Sequence, residues 1–204
     1  MTTAFTDEQE ALRAAVRRFV ADKSPSAAVR RWMDSEQGYD PALWQQMAEQ
    51  LGLQGLVVPE SYGGAGGGPV ELGIVLEELG RALVPAPFLS TVALAAQALV
   101  ASGDEAAQAR WLPGIADGSL TATLAVSEDG GSWSLDDVRA TAEPAPGGWT
   151  VSGTKMFVVD GDSASLLLVV ARAGDGPGLF AIGGGTRTRL GVVDPTRRFA
   201  RVEL

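Results

Sequence analysis

A chain of 204 residues, 46% hydrophobic and 20% charged, has room for one large or two modest domains and the make-up of an ordinary globular protein. Its 16 basic and 25 acidic residues give a net charge of −9, which argues against nucleic-acid binding because neutralising phosphates takes a basic surface. With neither Cys nor His there is no disulfide framework, thiolate, imidazole base or zinc site of the usual ligand types; chemistry falls to carboxylates, Lys, Tyr and Ser, or to a cofactor with its own reactivity.

Cysteine-free composition fits a cytoplasmic chain. The segment Met1 to Glu8 has neither the basic region nor the apolar run of a signal peptide. The apolar stretch Val92 to Ala101 is interrupted by Gln97 and is too short to cross a bilayer.

Helical signals come first. Thr6 with Gln9 makes a capping box, followed by Leu12, Val16, Phe19 and Val20 on one face. Ser24-Pro25 reads as an N-cap and first helical residue, opening a short helix through Val29 and Trp32. Asp40-Pro41 repeats that signal, with Leu43, Trp44, Met47 and Leu51 as the apolar stripe up to Gly52. The glycine run from Gly63 to Gly68 has too much backbone entropy for regular structure. It also lacks the spacing of a dinucleotide fingerprint and the Lys-Ser/Thr of a phosphate loop. Helix resumes near Pro69 or Val70 and is ended by Pro85 and Pro87. Phe88 to Val100 is apolar on nearly every side, as in a helix buried on several faces or in a subunit contact. Gly103-Asp104 caps a last helix through Trp111 and Ile115, stopped by Gly118.

From Leu120 the period changes to two. Leu120 to Val126, Val138 to Ala142, Trp149 to Ser152, Met156 to Val159, Leu166 to Ala171 and Leu179 to Ile182 are strand candidates. Turns fall at Pro146-Gly147-Gly148, Gly174 to Pro177 and Gly183 to Gly185. The expected fold class is therefore α+β. An all-α part spans residues 1–118, and a small antiparallel barrel-like part spans residues 119–204. Arg201-Val202-Glu203-Leu204 reads as the start of a further strand, so the chain is expected to be incomplete.

The stretch Ala122 to Ser132 lies at the change of architecture, where ligand sites tend to form. It begins as a strand and breaks into Ser, acids and glycines. Ser127, Ser132 and the freed backbone N–H groups offer uncharged hydrogen bonds to a flat polar ligand edge. A polar linker explains the same residues. Glu60, Glu77, Glu78 and Glu128 read as solvated carboxylates on helix faces and loops.

Several segments, in this order, resemble the acyl-CoA dehydrogenase family. They are Leu51-Gly-Leu, Val58-Pro-Glu-x-Tyr-Gly-Gly, Val75-Leu-Glu-Glu-Leu-Gly-Arg, Gln108-x-Arg-Trp-Leu-Pro-x-Ile-x-x-Gly118, Val126-Ser127-Glu128 through Ser132, Val151-x-Gly-x-Lys155-x-Phe157-Val-Val159 and Asp194-x-Thr-Arg-x-x-x-Arg-Val-Glu203. The resemblance covers essentially the whole chain. It implies a helical N-terminal domain and a β-rich middle domain, with FAD as cofactor. It also implies an acyl-CoA substrate, an electron-transfer flavoprotein or similar acceptor, a dimeric or tetrameric homo- or hetero-oligomer, and a place in fatty acid or lipid metabolism. The family's C-terminal helical bundle, which carries the catalytic Glu, has no counterpart in this sequence, so no catalytic residue is assigned.

Carried over residue by residue, the resemblance assigns the backbone at Leu124 and Val126 and the hydroxyl of Ser127 to the pyrimidine edge of the flavin. It places Ser132 against the FAD phosphate or the pantetheine arm of the substrate, and Phe157 against the ring face. Val158 and Val159 follow on the same flavin-contact strand, and Lys155 reads as structural. Two departures stand out: Asp129 replaces the family's usual Pro, in a loop one residue shorter, and Val159 lacks the hydroxyl usual at its position. The resemblance allows two functions: an FAD-dependent acyl-CoA dehydrogenase lacking its catalytic base here, or a non-catalytic, dehydrogenase-like subunit of a hetero-oligomer.

Overall fold

Capping and apolar spacing build the helical half as the sequence predicts in most places. The computed structural model describes residues 5–174 and 176–204; the Met1–Ala4 end and Asp175, within the predicted turn Gly174 to Pro177, lie outside the described residues. Helix α1 (Asp7–Lys23) starts from the Thr6–Gln9 capping box, with both reciprocal hydrogen bonds formed. Helix α2 (Ser26–Met33) starts one residue later than expected, with Pro25 in the cap position and no side-chain cap. The Ser24 N–H instead closes the end of α1 on the Val20 carbonyl, so Ser24 belongs to the preceding helix.

Asp40 caps α3 (Pro41–Leu51) through two backbone N–H groups, and α4 (Pro69–Arg81) follows the glycine run. That run is irregular but anchored. Backbone N–H groups of Ala65, Gly66 and Gly67 donate to the carbonyls of Gly55, Val58 and Leu56. A Cβ on Gly64 would stand 2.0 Å from the Val58 carbonyl oxygen, so only glycine permits this approach. Helix α4 stops at Arg81, before the two prolines.

Leu89–Ala96 is wound as a π-helix and continues directly into α5 (Gln97–Ser102); Asp104 then caps α6 (Glu105–Ala116). No residue from Phe88 to Val100 is exposed, as its sequence suggested.

Among the described residues eight strands follow. They are β1 (Ala122–Ala125), β2 (Thr141–Ala145), β3 (Gly148–Ser152), β4 (Thr154–Val159), β5 (Leu166–Ala173), β6 (Gly176–Ile182), β7 (Thr186–Arg189) and β8 (Phe199–Glu203). One sheet runs β1-β5-β2-β3, with β6 also paired to β5; the other runs β4-β8-β7. The pairings are mixed: β1 and β2 run parallel to β5, and the remaining pairs are antiparallel. Leu166 to Val170 are all buried, the continuous apolar run expected of a strand covered on both faces.

Several strands depart from the sequence reading, and β6 begins at Gly176, inside the turn read over Gly174 to Pro177. Val138 to Ala140 do not join β2, because the N–H groups of Arg139 and Ala140 are taken by the Glu128 carboxylate. Strand β7 was hidden because Thr-Arg-Thr-Arg has no apolar alternation; it is an edge strand held through β8.

One core fills the helical half around Val16, Met47, Leu53, Val75 and Phe88. A second fills the β half around Leu167, Val169, Val158 and Val202. A third joins them, packing Ala96, Leu112 and Ile115 against Ala122, Leu166 and Leu168. No described helix is long and apolar enough to cross a membrane.

Candidate functional site

The loop after β1 is placed by two strands. Strand β1 ends its sheet, so one rank of its backbone groups faces away from β5. On that side lies β4: the Met156 N–H donates to the Ser127 carbonyl at 2.8 Å, and the Thr123 hydroxyl donates to the Val159 carbonyl at 2.6 Å. Both strands abut the helical half. Thr91 bonds the N–H and carbonyl of Ala122, and the Ser90 hydroxyl donates to Asp160 Oδ2 at 2.6 Å. Burial pushes the Asp160 carboxyl up to about 6, against the opposing pulls of the Ser90 bond and the Arg197 charge.

The predicted residues take distinct places. Ser127 is 3% exposed, and its hydroxyl has no hydrogen-bond partner among the described residues. A buried hydroxyl left unbonded costs about 1–3 kcal/mol, so such a group calls for a ligand or water. Phe157 is its opposite, a large apolar ring 46% exposed. Strand β4 carries a bulge there: Lys155 pairs Val202 and Val158 pairs Ala200, so Met156 and Phe157 together stand against Arg201 alone. Phe157 occupies the bulge with φ +55°, a left-handed conformation that a Phe adopts only when its surroundings impose it. Its ring reaches the loop, where a Cβ on Gly131 would lie 3.9 Å from Cε2.

Val126 and Ser132 line a cleft of about 580 Å³ under the loop, shared with Asp129, Arg139 and Gly153. The Ser132 Oγ accepts from the Ser134 N–H at 3.1 Å. Leu124 is partly buried between the joining core and a small cluster of Val126, Val138 and Val170. The side chains of Val158 and Val159 are buried, and the Val159 carbonyl is already occupied by Thr123. The structure therefore brings Ser127 and Phe157 to the same loop, groups Val126 with Ser132 in the cleft, and turns Val158 into the β core.

Two of the four carboxylates read as solvated are not. Glu78 is fully buried, held by Arg17 at 2.6 and 3.0 Å and by Arg81 at 2.9 Å, and these partners bring its pKa down to about 2 against the cost of burial. Glu128 accepts from Lys155 Nζ at 2.8 Å and from the N–H groups of Ala140 and Arg139. Burial pushes its carboxyl up, but these donors outweigh burial and hold it below its ordinary value. Lys155 is 0% exposed, and burial lowers its pKa, opposed by Glu128. A charged Lys inside an apolar strand run was the one available sign of a buried acidic partner. Thr123 and Gly131 gave no such sign. Among the described residues no group of three or more acidic side chains converges as a metal site would need.

An all-α half, a mixed-sheet half and a loop with an unpaired buried hydroxyl where the strands meet the helices make a two-part α+β protein. The chain belongs to the acyl-CoA dehydrogenase family: residues 6–119 match that family's N-terminal domain. It is 36% identical over 197 residues to the acyl-CoA dehydrogenase IpdE2 of Mycobacterium tuberculosis, covering 97% of this chain and 51% of that protein. Among solved structures, a steroid acyl-CoA dehydrogenase variant described as Tcur3481-Tcur3483 superposes with a TM-score of 0.84 at 33% identity, covering 97% of this chain and 55% of the matched one. The ChsE4-ChsE5 complex of Mycobacterium tuberculosis superposes with a TM-score of 0.87 at 27% identity, over 100% of this chain and 55% of the matched one. The chain spans about half the length of the curated relatives it matches.

Proposed function

We propose that this chain forms the FAD-binding N-terminal and middle portion of an acyl-CoA dehydrogenase. One observation carries the reading: a buried hydroxyl without a partner, Ser127, stands on the loop that an exposed ring, Phe157, is strained to reach. An isoalloxazine supplies what each lacks, a polar edge for the hydroxyl and an apolar face for the ring. FAD, when bound, supplies the hydride acceptor for α,β-dehydrogenation of an acyl-CoA thioester to the trans-2-enoyl-CoA. The chain's own part is binding and orientation. The outward backbone of Leu124, the N–H of Val126 (its carbonyl being taken by Lys155) and the Ser127 hydroxyl hold the ring edge, Phe157 covers the face, and Ser132 in the cleft meets the phosphate or pantetheine arm.

No base for the α-proton is assigned within this chain; Glu128, the glutamate on the loop, is committed to Lys155 and two backbone amides and is not free to cycle a proton. An electron-transfer flavoprotein or similar acceptor would reoxidise the cofactor. Absence of flavin absorbance from the purified protein, alone and in its assembly, would sink this reading.

A second reading, a non-catalytic subunit of a hetero-oligomer, is favoured by Val159. It has no hydroxyl, and its carbonyl is bonded to Thr123 instead. The two solved neighbours named for pairs of gene products support such an assembly. Acyl-CoA turnover that appears only on mixing with a partner chain, with flavin bound elsewhere, would select it.

A further inference from the structure

We infer, on the flavin reading above, that Lys155 and Glu128 are positioning residues for the flavin-binding loop. The pair ties three separate segments together. Lys155 Nζ donates to the Val126 carbonyl at 3.0 Å and to Glu128 Oε1 at 2.8 Å. The same carboxylate accepts the N–H groups of Ala140 at 2.9 Å and Arg139 at 3.1 Å. One ion pair thus fixes both ends of the Val126–Glu128 turn and the wall of the cleft at residues 139–140.

The direction it imposes matters for the ligand. Both carbonyls ahead of Glu128 are drawn toward β4, that of Val126 by Lys155 and that of Ser127 by the Met156 N–H. With both carbonyls committed, the backbone at Ser127 is fixed, which sets where its Cβ stands and the arc its hydroxyl can sweep. On β4, Lys155 is the last regularly paired residue before the bulge that presents Phe157. Its buried ammonium therefore anchors the base of both flavin-contacting features at once. A Lys that only balanced charge would need the carboxylate alone; this one also holds a carbonyl of the loop.

Two variants of the full chain test this: Lys155→Met, which keeps length and burial, and Glu128→Gln, which keeps an acceptor for the two amides. Three readouts are compared with wild type: amide hydrogen exchange without ligand, the urea midpoint, and FAD affinity in the assembled protein. Lys155→Met is expected to speed exchange severalfold across residues 126–132 and at Arg139 and Ala140 while leaving β5 protected. FAD affinity should fall about tenfold, as for loss of one charged hydrogen bond. Glu128→Gln should do the same at 126–132 but leave Arg139 and Ala140 protected. Uniformly faster exchange that tracks a lower urea midpoint, with FAD affinity unchanged among the folded molecules, would make the pair merely structural and overturn the inference. Where Lys155→Met does not fold, Glu128→Gln decides by the same criteria. Loop loosening in the variants, with a wild-type assembly that takes up no FAD, would overturn the flavin reading and with it the assigned ligand of this loop.

Discussion

The helical half and the β1–β4 junction differ in how they hold their buried groups, although both leave some unpaired: Arg13 Nε, Trp32 Nε1 and Gln54 Oε1 in the helices, Ser127 Oγ at the junction. In the helices, Glu78 is enclosed with two arginines, the Trp44 indole donates to the Gly118 carbonyl, and Gln54 donates to the Trp44 carbonyl. At the junction, Ser127 is buried without a partner, Phe157 is exposed in a left-handed bulge, and the Asp160 carboxyl is pushed up by burial. The helical half encloses its ionised carboxylate in a closed set of donors, whereas the junction combines an unpaired hydroxyl with a left-handed, exposed ring.

The sharpest way to break this comparison is to remove packing on the helical side. Phe88→Ala deletes a ring that is 1% exposed and should cost about 3–5 kcal/mol by urea unfolding. A loss below about 1 kcal/mol would show that this core is not the dense one described. Next comes Glu78→Gln. It removes the charge from a carboxylate bonded to two half-exposed arginines, with an expected loss on the order of 2 kcal/mol.

The same contrast predicts opposite pH responses. Glu78 is depressed to about 2 from 4.5, so its contribution is full above 4.5 and is lost as pH falls toward 2. Asp160 is raised to about 6 from 3.8, so its contribution is full below 3.8 and is lost as pH rises through about 6. Unfolding midpoints measured across pH should therefore show a shallower acid limb in Glu78→Gln, and a shallower fall between 3.8 and about 6 in Asp160→Asn. Unaltered profiles in both variants would refute the assignment.

At the junction, stability and ligand affinity should separate. Phe157→Gly relieves a left-handed backbone worth roughly 1 kcal/mol while removing an exposed ring, so the urea midpoint should barely move. FAD affinity should fall by roughly 0.5–1.5 kcal/mol beyond the lost contact area. A large drop in stability with flavin binding intact would make the ring a packing residue. The smallest effect is expected from Ser127→Ala. It should leave the free chain as stable or slightly more so, since an unsatisfied hydroxyl is removed, yet weaken FAD binding on the order of 1 kcal/mol. Loss of stability in the free protein would mean that the hydroxyl has a partner within the fold.

Much was decided locally. Thr6–Gln9, Asp40-Pro41 and Asp104 start helices where the sequence says, because a cap is a contact between residues two or three apart. The change from helical to strand period near residue 120, and the motifs that mark the family, are likewise properties of short segments. Tertiary structure decided the rest. Glu78 looked like an exposed carboxylate on an amphipathic helix, and only the approach of α1 made it a buried ion. Val138 to Ala140 had a strand's alternation, but Glu128, more than ten residues away, holds the amides of Arg139 and Ala140. The bulge that turns Phe157 outward depends on the register between β4 and β8, some forty residues apart, and no local pattern encodes it. Capping and periodicity act along the chain and are written in it; buried charge, register and strain arise only when distant segments compete for the same backbone groups.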